Sequence, residues 1–141
     1  MVEPLYTAEA TARGDGRNGE VTSSDGVIDE KLAVPKEMGG PGGERTNPEQ
    51  LFAAGYAACF HSALRLVAKQ SGVDVGDSEV TARVGIGRNE TGKFQLTVKL
   101  DTTLRGMEQG KADELVTQAH QVCPYSNATR GNIEVEVTAT T

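Results

Sequence analysis

Cys59 and Cys123 are the two cysteines of the chain, and thiol redox chemistry is the reaction type that such a pair supports. Two cysteines are too few for a disulfide scaffold, and in a reducing compartment they are more often reactive or simply buried than permanently crosslinked. Judged by composition alone, burial as a small apolar side chain is the more common state of a cysteine. The sequence therefore leaves two interpretations open, a redox pair and two core thiols.

The predicted helix positions of the two cysteines favour different roles for them in thiol chemistry. Cys59 lies in the middle of a predicted helix, beyond the reach of the N-terminal dipole, so its thiolate needs a cation from elsewhere, and Arg17 and Arg45 are the candidates. Cys123 lies at a predicted helix C-terminus, where the dipole disfavours a thiolate. This favours Cys59 as the attacking thiol and Cys123 as the thiol that resolves its oxidised partner.

The two histidines add no predicted metal site to the cysteines. Cys59 and His61 are two residues apart on one helix and point about 200° away from each other, so they cannot share an ion. His120 and Cys123 are three residues apart and can meet, which leaves a Cys–His nucleophile open. The alternative is a surface His120 whose cationic form the helix C-terminus favours.

The helix that carries Cys59 is predicted from a clear start signal and a long apolar pattern. Asn47 suits the N-cap, Pro48 the first helical position, and Gln50 can complete a reciprocal cap. The helix then runs over residues 48–70 and is closed by Gly72. Small and apolar residues cover most of its circumference, so we expect a central helix that another helix can approach closely.

Strand patterns and a second helix account for most of the remaining chain. The second helix covers residues 108–122 and is stopped by Pro124. Within residues 27–34 the even-numbered positions are the predicted buried face. Hairpin signals indicate mainly antiparallel pairing and an α+β class, with residues 1–141 forming a single domain. The predicted strands cover residues 5–12, 20–23, 27–34, 79–88, 93–104 and 132–140.

Composition limits the class of partner and the compartment. A formal charge of −6 argues against nucleic acid and anionic membranes as partners. No apolar run approaches the roughly 20 residues of a membrane span, and the start of the chain lacks a secretory signal, so we expect a cytoplasmic protein. The core must be aliphatic because there is no Trp and only three Phe, and a modest core of this kind favours oligomerisation.

Two long motifs each contain one cysteine. They read Thr-Asn-Pro-Glu-Gln-Leu-Phe-Ala-Ala-Gly-Tyr-Ala-Ala-Cys-Phe at residues 46–60 and Val-Cys-Pro-Tyr-Ser-Asn-Ala-Thr-Arg-Gly-Asn at residues 122–132. With shorter segments at residues 23–26, 39–43 and 83–87, they resemble the organic hydroperoxide resistance proteins of the OsmC superfamily. The resemblance spans nearly the whole chain.

This resemblance implies a thiol peroxidase that reduces organic hydroperoxides, including those of fatty acids. It implies that Cys59 attacks, that Cys123 resolves by forming a disulfide, and that Arg17 and Glu49 are catalytic. The implied fold is an intertwined α+β homodimer with two central helices. No bound cofactor or metal is implied, and the external reductant is a dithiol, dihydrolipoamide or a lipoylated protein.

Glu49 and Cys59 are ten residues apart, about 15 Å along one straight helix. Direct contact within one chain is therefore excluded, and either Arg17 bridges the distance or Glu49 comes from a partner subunit. An apolar substrate pocket could be lined by residues close in sequence to these site elements, although each is also a plausible core residue. The pocket candidates are Met38, Phe52, Tyr56, Phe60 and Tyr125.

A function of another class remains open from the residues themselves. The cysteines could fill space in a redox-inert stress dimer whose glycine-rich loops bind a lipid or a partner protein. A DNA-binding regulator is a third class, but the acidic charge and the missing basic helix argue against it.

Overall fold

A computed structural model describes the whole chain, residues 1–141. Its elements follow the predicted order, with the short helix α3 and two 3-10 turns, Gly16–Asn18 and Lys36–Met38, added. Contacts divide the chain into two compact units, residues 1–51 and residues 52–141. The prediction of a single domain stays a prediction. The elements are β1 (Ala10–Arg13), β2 (Glu20–Ser23), β3 (Asp29–Lys31), α1 (Pro48–Gln70), β4 (Glu79–Arg88), β5 (Phe94–Thr103), α2 (Gln109–Val122), α3 (Pro124–Thr129) and β6 (Val135–Thr140).

The sheet of residues 1–51 is an antiparallel meander in the order β1-β2-β3. The buried face predicted for residues 27–34 is wrong over its first half, because Ile28 and Glu30 are exposed. Alternation is lost where β3 ends. Beyond that point the backbone leaves the meander, Leu32 forms a parallel bridge with Thr46, and Leu32 and its neighbour Ala33 are both buried.

The sheet of residues 52–141 has the order β4-β5-β6. β4 and β5 form the predicted antiparallel hairpin, with Glu79 opposite Thr103 and Arg88 opposite Phe94. β6 pairs parallel to β5, so the expectation of mainly antiparallel pairing fails for this one pair of strands. The reason is the path between them, since the chain crosses back through α2 and α3 before it re-enters the sheet.

The core of residues 52–141 lies between this sheet and one face each of α1 and α2. It is largely aliphatic, as the composition predicts, with two aromatic rings added from α1. Its fully buried large apolar side chains are Tyr56, Phe60, Leu64, Leu100, Leu104 and Leu115, and the smaller Cys123 is fully buried with them. Burial of each large apolar side chain stabilises the fold by about 1.5–3 kcal/mol.

The exposed face of α1 departs from the central position expected for this helix. Ala54, Ala58 and Leu66 lie on this face, and Leu66 is 50% exposed. Over 18 residues α1 has a mean hydropathy of 1.4, with 33% of that stretch buried, so by length and composition it could cross a membrane. The expectation that no run approaches this length is therefore corrected. Because its other face packs into the core, α1 is the core helix of a soluble protein.

Candidate active site

The sulfur atoms of Cys59 and Cys123 lie 3.6 Å apart, and both thiols are free. Cys59 is half-buried on α1, whereas Cys123 is fully buried where α2 meets α3. The fold thus brings together the two cysteines that the sequence singled out, across 64 positions of chain. Their separate roles remain predictions.

Cys123 is the C-terminal cap of α2 and also the N-terminal cap of α3. The predicted C-terminus is correct, but the helix that starts at the same residue was missed. Pro124 stands at the first position of α3, where proline is favoured, so the signal for a helix start was present and was interpreted only as a stop. The dipole argument for Cys123 as the resolving thiol is weakened, because two helix ends of opposite sign meet there.

Burial raises the pKa of the Cys59 thiol above its ordinary value. Hydrogen bonding from the backbone of Tyr125, in the first turn of α3, opposes this shift, while the neighbouring Cys123 adds to it. The net pKa of Cys59 is raised, so the thiol form is favoured in this structure.

Arg17 and Glu49 form a two-point ion pair within residues 1–51. Nη1 of Arg17 donates to Oε2 of Glu49 at 2.9 Å, and Nη2 lies 2.8 Å from Oε1. The hydrogen bond from Arg17 holds the pKa of Glu49 below its ordinary value, and the same bond raises the pKa of Arg17. This is the planar guanidinium–carboxylate geometry that arginine favours, and it leaves the Arg17 side chain 40% exposed. Arg45, the other candidate cation, is exposed.

Local sequence explains where these two side chains lie. The tip of the β1–β2 hairpin turns at Gly14 and Gly16, whose positive φ angles suit glycine, and Arg17 lies in the short 3-10 turn that follows. Glu49 occupies the first turn of α1, where the helix dipole favours a carboxylate. As predicted, Asn47 caps this helix, because its Oδ1 accepts from the backbone N–H of Gln50 at 2.8 Å.

The pocket candidates divide according to burial. Tyr56 and Phe60 have no exposed surface, so they are core residues and form no open pocket wall as they lie. Tyr125 is 41% exposed and Phe52 half-buried. The Phe52, Tyr56 and Tyr125 rings form a cluster, with centroids 5.7 to 6.3 Å apart. Met38 lies apart from these in the sequence, half-buried in the 3-10 turn after β3.

A buried hydrogen-bond network lies beside the cysteines and was missed by sequence reasoning. Ser126 Oγ bonds both Tyr56 OH, at 2.8 Å, and His120 Nδ1, at 2.7 Å. Tyr56 OH also lies 3.2 Å from Oγ1 of Thr129. The serine and threonine stand within the second cysteine motif, but hydroxyl residues in a predicted loop carry no signal of burial.

His120 differs from both predictions made for it. It is half-buried, and burial, followed by the charge of Arg130, lowers its pKa, so the neutral form is favoured instead of the cation. The hydrogen bond of its ring goes to Ser126. The Cys–His nucleophile considered for His120 and Cys123 therefore has no hydrogen bond to support it here.

Together the fold and site define a class, the small α+β proteins in which two helices bring a pair of free thiols together. The OsmC-like protein family model matches residues 40–138 of the chain. An organic hydroperoxide resistance protein of Xanthomonas axonopodis pv. citri (strain 306) is 53% identical over 135 residues, which is 95% of this chain and 94% of the relative. OhrB of Bacillus subtilis (strain 168) is 48% identical over 136 residues, 94% of this chain and 96% of the relative.

Solved structures agree with these sequence matches. The crystal structure of OhrB from Bacillus subtilis has a TM-score of 0.89 at 46% identity and covers 97% of this chain and 100% of its own. An organic hydroperoxide resistance protein from Legionella pneumophila has a TM-score of 0.92 at 47% identity, with 99% and 100% covered. The chain therefore belongs to the OsmC-like family, within the group named organic hydroperoxide resistance proteins, and the resemblance found in its sequence is confirmed.

Proposed function

We propose that the chain is a thiol-dependent peroxidase that reduces organic hydroperoxides, including those of fatty acids, to alcohols. The observation that carries the proposal is the 3.6 Å approach of two free thiols, Cys59 and Cys123. The names of relatives at about half identity over nearly the full chain support a role in peroxide detoxification. Such a protein acts in the cytoplasm, where a dithiol pool can regenerate it.

In the first step the Cys59 thiolate attacks the distal oxygen of the hydroperoxide. The O–O bond breaks, an S–O bond forms, and the alkoxide takes up a proton and leaves as the alcohol. Cys59 becomes a sulfenic acid and is oxidised by two electrons. Cys59 is the better attacker of the two because it is half-buried, whereas Cys123 has no exposed surface.

Arg17 is proposed to assist this step. Its guanidinium keeps N–H groups free beyond the two that bind Glu49, and these can stabilise both the thiolate and the charge that develops on the leaving oxygen. Glu49 holds the guanidinium plane through the two-point pair, so it acts as the residue that orients Arg17. In this proposal Arg17 would offset the rise that burial causes in the pKa of the Cys59 thiol.

In the second step the Cys123 thiol condenses with the sulfenic acid. The S–O bond of Cys59 breaks, the disulfide forms, and the oxygen leaves as water. An external dithiol of the dihydrolipoamide type, free or carried by a lipoylated protein, then opens the disulfide by exchange and is itself oxidised to a cyclic disulfide. Two electrons and two protons from the dithiol thus balance each hydroperoxide reduced, and no bound cofactor or metal is required.

The working unit is proposed to be a homodimer. The exposed face of α1 carries Ala54 and Ala58, whose small side chains allow a second helix to come close, together with the half-exposed Leu66. A partner helix packed there would bury the apolar surface that the single chain leaves open.

Serine variants of the two cysteines test the mechanism. With dihydrolipoamide as the only reductant, Cys59→Ser should abolish turnover of cumene hydroperoxide, since the attacking sulfur is gone. Without added reductant, Cys123→Ser should consume about one equivalent of hydroperoxide per chain and then stop, because no second thiol in the chain can resolve the sulfenic acid. Full steady-state turnover by Cys59→Ser would refute the scheme and leave the redox-inert binding dimer as the better account.

A further inference from the structure

We infer that Tyr56, Ser126 and His120 form a buried hydrogen-bond chain that positions Cys123 for closure on Cys59. The inference rests on the proposed function, because it concerns the step that forms the disulfide. None of the three side chains enters the chemistry itself. Each is a positioning residue that acts through the turn between α2 and α3.

The direction of every bond in the chain follows from counting hydrogens. Oγ1 of Thr129 donates to the carbonyl oxygen of Ser126 at 3.1 Å, which uses its only hydrogen. Oγ1 of Thr129 must therefore accept from Tyr56 OH, 3.2 Å away. The Tyr56 oxygen then accepts from Ser126 Oγ, and Ser126 Oγ accepts from Nδ1–H of His120. Counting thus assigns the proton of neutral His120 to Nδ1.

This hydrogen-bond chain links three helices around Cys123. His120 lies three residues before Cys123 on α2, Ser126 lies three residues after it on α3, and Tyr56 comes from α1, the helix of Cys59. Ser126 and Tyr56 have no exposed surface. A hydroxyl lost here leaves its partner unpaired in the core, which costs more than an exposed hydrogen bond. The hydrogen-bond chain therefore attaches the residues on both sides of Cys123 to α1, the helix that carries Cys59.

A second contact fixes the same turn. A side chain at Gly55 would place its Cβ 3.0 Å from the Tyr125 hydroxyl oxygen, so glycine leaves room for the Tyr125 ring on α1. Arg130, just after α3, donates to the carbonyl oxygen of His120 at 2.6 Å. The turn that carries Cys123 is thus attached to α1 and to the end of α2 at several points.

Single-turnover oxidation measures the positioning directly. Tyr56→Phe and Ser126→Ala remove one hydroxyl each. After one equivalent of cumene hydroperoxide, both variants should lose the first thiol at the wild-type rate, whereas disulfide closure, followed by intact mass and thiol counting, should slow about tenfold. Closure induced by diamide, which oxidises dithiols without a peroxide, should slow by a similar factor.

Two variants of His120 separate positioning from general stability. Asn presents an N–H close to the position of Nδ1, so His120→Asn should retain closure near the wild-type rate, while His120→Leu should slow it. Ser78→Ala is the matched control. Ser78 Oγ also bonds a histidine ring, at Nε2 of His61 and 3.0 Å, but it takes no part in the hydrogen-bond chain of Tyr56, Ser126 and His120. This control should close at the wild-type rate.

Wild-type closure rates in Tyr56→Phe and Ser126→Ala with both oxidants would overturn the inference. Equal slowing of both thiol losses, with a matching fall in melting temperature, would also overturn it by showing a purely structural role. If wild-type protein closes with diamide but ignores the hydroperoxide, the proposed peroxidase function fails, while slower diamide closure in the variants still supports the positioning chain.

Discussion

The surroundings of the Cys59 thiol have opposing effects on its pKa. Burial and the nearby Cys123 raise its pKa, while hydrogen bonding from the Tyr125 backbone lowers it. For an acid that is neutral when protonated, a raised pKa means a smaller thiolate fraction at neutral pH. The peroxidase proposed here therefore depends on a cation, for which Arg17 is the candidate, at the moment when the thiolate is needed.

The pH dependence of Cys59 alkylation follows from this balance. The rate with iodoacetamide should rise with pH through a midpoint above that of a cysteine in an unstructured peptide, because only the thiolate reacts. Peptide mapping assigns the modified residue, and the unstructured peptide is the control. A midpoint below that of the peptide would contradict the raised pKa and would show that a cation outweighs burial in solution.

Sequence reasoning identified the pair of cysteines correctly, but it missed the buried hydroxyl groups beside them. Residue type limits redox chemistry to Cys59 and Cys123, so their importance is visible without a fold. Ser126 is different, because a hydroxyl serves equally well in a loop, a cap or a core. Only the approach of α1 and α2 to α3 gives it two partners.

Elements were predicted best where local signals at both ends agree. α1 begins at Pro48 and ends at Gln70, as the Asn47 cap and the Gly72 stop predict. The parallel pairing of β6 depends on a crossover, which alternation within the strand does not reveal. The missed α3 shares its cap residue, Cys123, with the end of α2, and Pro124 is both the stop signal for α2 and the first residue of α3.

The packing of α1 against Tyr125 predicts an unusual response to a helix-favouring substitution. Gly55→Ala should leave the free energy of unfolding unchanged or raise it by up to about 1 kcal/mol, since alanine favours the helix and the half-exposed Tyr125 ring can move aside. Turnover of cumene hydroperoxide should nevertheless fall severalfold, because the displaced ring disturbs the turn at Cys123. Chemical denaturation and steady-state assays measure the two effects.

Gly87→Ala is the control for this substitution, because a Cβ on Gly87 meets nothing within 4 Å and the residue lies on β4. Its turnover should equal that of wild type. Unchanged turnover in Gly55→Ala would contradict a role for the Tyr125 contact.

The molecule as a whole joins an acidic surface, a modest aliphatic core and a pair of close thiols. A formal charge of −6 disfavours polyanions as partners. We propose the homodimer because a partner would cover the exposed apolar face of α1. Class and family follow from the sequence, whereas the half-exposed α1 and the raised pKa of Cys59 required the fold, because both depend on which faces pack together.

The number of free thiols per chain after one equivalent of an organic hydroperoxide tests the central proposal most directly. The account predicts that wild-type protein loses both thiols, Cys59 and Cys123, and releases one equivalent of alcohol, with the disulfide then reopened by dihydrolipoamide. The Cys123→Ser variant should lose its single thiol without forming an intramolecular disulfide. Two thiols retained in wild-type protein, with the hydroperoxide unconsumed, would contradict the account.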